Sequence, residues 1–181
     1  VRYRNRVAFG AAGVGIVAQP FVVAYALLTA KTDGNSLVDA AALLGLASLC
    51  AWFFARIGIQ PSIECEHGQL SVRNPLLSYR AWLSDVQFVA GDGQIGLRID
   101  GIGMVHPWVL SRSLFDSKHA RSARKELREL ITEAHVTTSS EILADGDPPA
   151  HRWVRRGATD LLLVPPLAFS VWNVIDILMG N

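Results

Sequence analysis

The chain has 181 residues, of which 50% are hydrophobic and 18% charged, with a formal net charge of +1. An ordinary soluble domain carries about a quarter charged residues, so this composition excludes one that is soluble along its whole length. The near-neutral balance gives no support to a nucleic-acid partner, and two cysteines exclude a disulfide framework.

The first apolar window runs from Val7 to Ala30, VAFGAAGVGIVAQPFVVAYALLTA, without a charge. At the α-helical rise it spans roughly 36 Å, more than a hydrocarbon core of about 30 Å. The segment KTDGNS, Lys31 to Ser36, is a short polar turn. Ser36 and Asp39 have the spacing of a capping box, which starts a second helix. That second window, SLVDAAALLGLASLCAWFFA, Ser36 to Ala55, completes a helical hairpin. Gly10, Gly13, Gly15 and Gly45 permit close helix packing. An alternative for the first window is a secretory signal, with RYRNR as its basic region and Ala24-Tyr25-Ala26 as a cleavage site. Its apolar run is long for that, and an uncleaved anchor is expected.

From Ile57 to Val105 the pattern changes to short alternations. Ile63 and Cys65 alternate with Glu64 and Glu66, and His67-Gly68 forms a turn. Leu70 and Val72 follow, then the turn Asn74-Pro75. Tyr79, Ala81 and Leu83 are spaced by two, as are Val86, Phe88 and Ala90. After GDG come Ile95, Leu97 and Ile99; after DGIG, the run from Met104 contains Pro107, an edge or bulge signal. Six or seven short strands imply an antiparallel sheet curled on itself. A helix beginning at Asp116 or Ser117 closes the segment. It places Ala120, Ala123, Leu127, Leu130, Ile131 and Ala134 on one face.

Val136 to Gly157 reads as a linker that turns basic at HRWVRR. A third apolar window, LLLVPPLAFSVWNVIDILM, Leu161 to Met179, is interrupted by Pro165-Pro166. It is expected to span, with a buried core helix as the alternative.

Arg2, Arg4, Arg6, Arg56, Arg152, Arg155 and Arg156 all fall on one side of a three-span arrangement. The positive-inside bias then places the N-terminus and the middle segment in the cytoplasm and the C-terminus outside, in the plasma membrane. Trp52, Trp153 and Trp172 serve as interfacial anchors.

The stretch VRNPLLSYRAWLSDV resembles the signature of the bacterial PH-like domain of small actinobacterial membrane proteins, the low-molecular-weight antigen group. Val72, Arg73, Asn74, Pro75, Arg80, Asp85 and Val86 match, and Tyr79, Trp82 and Leu83 depart from it. The resemblance covers about Gln60 to Ala134 and the N-terminal hairpin. It implies an α+β fold, a PH-like antiparallel barrel or sandwich of six to seven strands capped by a C-terminal helix. The expected organisation is a transmembrane hairpin at 1–57 (helices about 7–30 and 36–56), a PH-like domain at 58–136, a linker at 137–157 and a third membrane helix at 158–181.

By resemblance, lipid-binding PH domains place Lys and Arg around the first hairpin, which here offers Glu64, Glu66 and His67 before any Arg. Phosphoinositide binding is not expected, because the two carboxylates oppose a phosphate. Catalytic chemistry is not expected either. His67, His106, His119, His135 and His151 form no metal-binding pair, the glycine pairs at 91–93 and 101–103 read as hairpin turns, and no Ser lies in a nucleophile elbow. The sequence thus points to no enzyme, cofactor, metal or nucleic acid. It points to a membrane-anchored interaction module that docks a membrane or cytoplasmic protein. The alternative is anionic-lipid sensing, or an accessory role in a transport or envelope complex. Arg152, Trp153, Arg155 and Arg156 are the residues expected at the membrane surface, against anionic headgroups.

Overall fold

A computed structural model describes residues 2–29, 36–90, 95–110, 118–138 and 150–179. The chain divides into two compact units: Val1–Ala8 with Gln60–Arg155, and Phe9–Ile59 with Arg156–Asn181.

The first unit is α+β, with two antiparallel sheets. Strands β1 (Arg2–Tyr3), β2 (Ser62–Glu66), β3 (Gln69–Arg73), β4 (Leu77–Trp82) and β8 (His151–Val154) form one sheet, in the order β1-β2-β3-β4-β8. Strands β5 (Val86–Ala90), β6 (Ile95–Ile99) and β7 (Gly103–Val105) form the other. No strand pair joins the two sheets among the described residues, so hydrogen bonds do not close them into a barrel.

The period-two pattern acts as expected. Ile63, Cys65, Leu70, Val72, Tyr79 and Ala81 of the larger sheet share one core with Val86, Leu97, Ile99 and Val105 of the smaller. Removing such side chains from water is the main stabilising term here, about 1.5–3 kcal/mol for each large one. The turn between β2 and β3 is two residues long, and both His67 (φ 50) and Gly68 (φ 74) are left-handed. That is the geometry whose twist matches the flanking strands. Helix α3 (Lys118–Thr138) buries Leu127 and Ile131 in the same core. It is seated further by His135, whose Nε2 donates to the Val86 carbonyl at 2.9 Å. The Arg128 guanidinium also lies 4.7 Å from the Phe88 ring centroid. The expected cap at Asp116 or Ser117, the GDG turn and the KTDGN stretch lie outside the described residues.

Two strands lie where the sequence suggested none. Arg2–Tyr3 pairs with β2, with Tyr3 opposite Ile63, and His151–Val154 pairs with β4 inside the stretch read as linker. Both pieces are too short for a periodic pattern to register, and both complete an edge that the longer strands had already built.

The second unit holds α1 beyond its first turn (helix bounds Arg6–Thr29), α2 (Ser36–Phe54) and α4 (Val164–Met179). A π-helical turn, Ala55–Ile59, extends α2, and a 3-10 segment, Ala158–Leu163, leads into α4. Three helical stretches, Arg6–Thr29, Leu37–Ile59 and Ala158–Met179, are long and apolar enough to cross a membrane. Their side chains are largely exposed, as in Phe21, Leu28, Leu37, Trp172 and Leu178, which suits a lipid surround. Pro165-Pro166 does not break the third apolar helical stretch. Both residues sit in the first turn of α4, where a missing N–H is tolerated.

Candidate functional site

One face of α2 carries a continuous seam to the third span. Gly45, Ser48, Trp52 and Arg56 recur at helical spacings of three and four, so they line up along the axis. Each meets the segment from Asp160 to Pro166. A Cβ on Gly45 would lie 3.4 Å from the Pro166 Cα, so glycine allows the backbones to come this close.

One turn on, the Ser48 hydroxyl donates to the Leu162 carbonyl. The two prolines explain why that carbonyl needs it. A helical carbonyl bonds the N–H three or four residues later, and those positions here are Pro165 and Pro166. A carbonyl left without a donor in apolar surroundings is costly, and α2 supplies the donor.

At the end of the seam, Asp160 gathers three donors. Trp52 Nε1 donates to its Oδ1 at 3.1 Å, and Arg56 Nη2 pairs with the same oxygen. The Gly157 backbone N–H donates to Oδ2 at 3.0 Å, half of a capping box that starts the 3-10 segment. The Arg56 side chain is 5% exposed and that of Asp160 31%. The Arg56 guanidinium also lies 5.7 Å from the Trp52 ring centroid. Sequence reading used Arg56 only as an orientation signal and missed Asp160. The available signals were Gly157-x-x-Asp160 at a helix start and Trp52-x-x-x-Arg56 at a helix end.

Beside this seam, α1 and α2, with Pro165 of α4, border a wide-open groove of about 580 Å³. Its walls are apolar except for Gln19 and Ser48.

In the sheet unit, Arg73, Asn74 and Asp85 of the motif hold architectural contacts. Asn74 staples the β3–β4 turn to the chain after β7: its Nδ2 donates to the His106 carbonyl at 3.0 Å, and its Oδ1 accepts from Trp108 N–H at 2.8 Å. Glu64 accepts from Arg2 Nε at 3.0 Å and from Arg73 Nη2 at 3.3 Å, an ion-pair row across β1, β2 and β3. Asp85 accepts from the Ser84 hydroxyl, and its backbone carbonyl from Asp100 N–H. Arg80 is exposed on β4, opposite His151 of β8. Burial raises the pKa of the Cys65 thiol. A cavity of about 60 Å³ beside it, lined by Tyr3, Cys65 and Glu126 among others, is far below the ~300–1,000 Å³ of small-molecule sites. Among the described residues, no three His, Cys, Asp or Glu side chains converge as metal ligands.

The four residues expected at the membrane surface separate into two roles. Arg152 and Trp153 lie on β8, opposite Tyr79 and Ser78, and both are exposed, as is Arg156. Arg155 instead fastens the end of β8: its Nη1 donates to the Gln60 carbonyl and its backbone N–H to Leu76, each at 2.9 Å.

No protein-family model, curated protein or solved structure matches this chain.

Proposed function

We propose that this chain is a membrane-anchored interaction module, a PH-like domain carried on the cytoplasmic face of the plasma membrane to dock a protein partner. The observation that carries this reading is how the sheet unit is wired to the spans. Two residues, Arg4 and Asn5, separate β1 from α1; Gln60 and Pro61 separate the π-helical turn from β2; Arg155 to Gly157 separate β8 from the third span. Three such short connections tether the sheet unit to the apolar helices at three points along the chain. Orientation rests on the arginine clusters, which all fall on the domain side of the spans. The PH-like assignment is supported by two packed antiparallel sheets with a following helix, and by the motif from Val72 to Val86.

A binding role suits the surface better than catalysis does. In the sheet unit, Arg73, Asn74 and Asp85 of the motif are spent on an ion pair, a turn and hydrogen bonds, and the cavity beside Cys65 is about 60 Å³. The test is photocrosslinking in native membranes from a reactive residue placed at Arg80, Gln87 or Arg98, all exposed. A discrete adduct at one of these positions supports docking. Smears of lipid adducts, or none at any of them, would count against it.

A second reading has its own observation. Arg152, Trp153 and Arg156 are exposed immediately before the third span, where each basic residue near an anionic leaflet contributes about 1 kcal/mol. Under this reading, tryptophan fluorescence of the reconstituted chain changes with the fraction of anionic lipid.

A further inference from the structure

We propose that the groove bordered by α1 and α2, with Pro165 of α4, is a binding site for a neutral lipid alcohol, a long apolar chain bearing a free hydroxyl. Its volume of about 580 Å³ falls in the range of small-molecule sites, and its walls are apolar residues such as Val23, Leu44 and Ala47. Three features of α1 turn this apolar groove into a site with a chemical preference.

The first is Gln19. It lines the cleft thirteen positions after the start of α1, roughly 20 Å along the axis and so near the centre of the span. Among the described residues, none hydrogen-bonds to its amide. A bare amide at this depth is unfavourable by a few kcal/mol on transfer scales. The second is Pro20, which gives no N–H to the Ile16 carbonyl four residues before it. The third is position: Ile16 and Gln19 are three residues apart, hence on one helix face, and both line the cleft.

The opposite wall shows what the protein does when it fills such a vacancy itself. There the proline-freed Leu162 carbonyl receives the Ser48 hydroxyl. On the α1 side, among the described residues, no side chain donates to the Ile16 carbonyl, and the complementary group is a hydroxyl brought by a ligand. Its oxygen accepts from the Gln19 amide and its proton goes to the Ile16 carbonyl. A phospholipid headgroup stays in the interface, about 15 Å from the centre, and a plain hydrocarbon chain satisfies neither group.

The test uses the full chain in phospholipid nanodiscs, with two photoactivatable probes, a long-chain alkanol and the alkane of equal length, each carrying a diazirine. The alkanol should label the α1 and α2 cleft walls, be displaced by unlabelled alkanol, and exceed the alkane. Gln19→Leu should lower alkanol labelling about fivefold, the loss of roughly one hydrogen bond, and Gln19→Asn should retain most of it. Leu28→Ala, at a residue 86% exposed on α1, should change nothing. Equal labelling by both probes, labelling that excess alkanol does not displace, or an unchanged Gln19→Leu variant would overturn the proposal. So would a crosslink from residue 19 to a second copy of the chain, because Gln19 would then have a protein partner.

Discussion

Arg56 and Asp160 form an ion pair between the turn that extends α2 and the 3-10 segment that leads into α4, with the arginine almost fully enclosed and the aspartate about one-third exposed. That asymmetry makes the two deletions unequal. Asp160→Ala leaves an enclosed guanidinium without this counter-charge, and also removes the acceptor for Trp52 and Gly157. Arg56→Ala leaves a carboxylate with two remaining donors and access to water. Unfolding in detergent is expected to show Asp160→Ala as the more destabilised, with the double variant no worse than Asp160→Ala alone. Equal and additive losses would mean that the pair is not coupled.

The Ser48 hydroxyl is predicted to matter through Leu162 rather than through its own size. Ser48→Ala is nearly isosteric and should cost about 0.5–1.5 kcal/mol, the net value of one hydrogen bond. Replacing Pro165 and Pro166 together with alanine restores N–H donors to the Leu162 carbonyl, and in that background Ser48→Ala should cost less. The same penalty in both backgrounds would remove the proline argument.

Glycine substitutions in α1 should separate by position. A Cβ on Gly15 would come within 2.9 Å of the Phe54 ring, whereas at Gly13 it meets nothing within 4 Å. Gly15→Ala is therefore expected to displace the Phe54 ring and weaken the α1–α2 contact, and Gly13→Ala to be tolerated, when the melting temperatures of the two purified variants are compared; equal melting temperatures would contradict this.

Asn74 joins two chain segments with two hydrogen bonds. Asn74→Ala should destabilise the sheet unit by about 1–3 kcal/mol and speed hydrogen exchange at Val105 to Leu110 more than at β2. Uniform protection would show that the staple is dispensable.

The buried Cys65 gives a pH dependence of known sign. Burial favours the neutral thiol, so the folded-state pKa lies above the unfolded one. The resulting stability is fully present below the ordinary thiol value of about 8.5 and is lost as pH rises through the folded value. Cys65→Val should show a shallower alkaline fall in stability than the unaltered chain, followed by hydrogen exchange of β2 and β3.

Much of the sheet unit was legible because its strands alternate strictly. Ile63, Cys65, Leu70, Val72, Leu97 and Ile99 are all in the core. The three apolar windows were legible from length and charge alone. What escaped was the set of pieces whose structure comes from a distant partner. Tyr3 is a strand residue because Ile63 lies opposite, and Trp153 because Ser78 does. The seam escaped for a related reason. Ser48 and Asp160 are unremarkable in their own segments, and their roles emerge only when α2 and the third span face one another. Pro165-Pro166, read as an interruption, is the feature that makes Ser48 necessary.

The central claim, a folded sheet domain held on the cytoplasmic face by three spans, is tested most directly by cysteine accessibility in intact cells. Start from a chain lacking Cys50 and Cys65, and place single cysteines at Gly34, Arg80 and Asn181. The account predicts that a membrane-impermeant maleimide labels positions 34 and 181 in intact cells, and position 80 only after permeabilisation. Labelling of position 80 in intact cells, or protection of position 181, would contradict it.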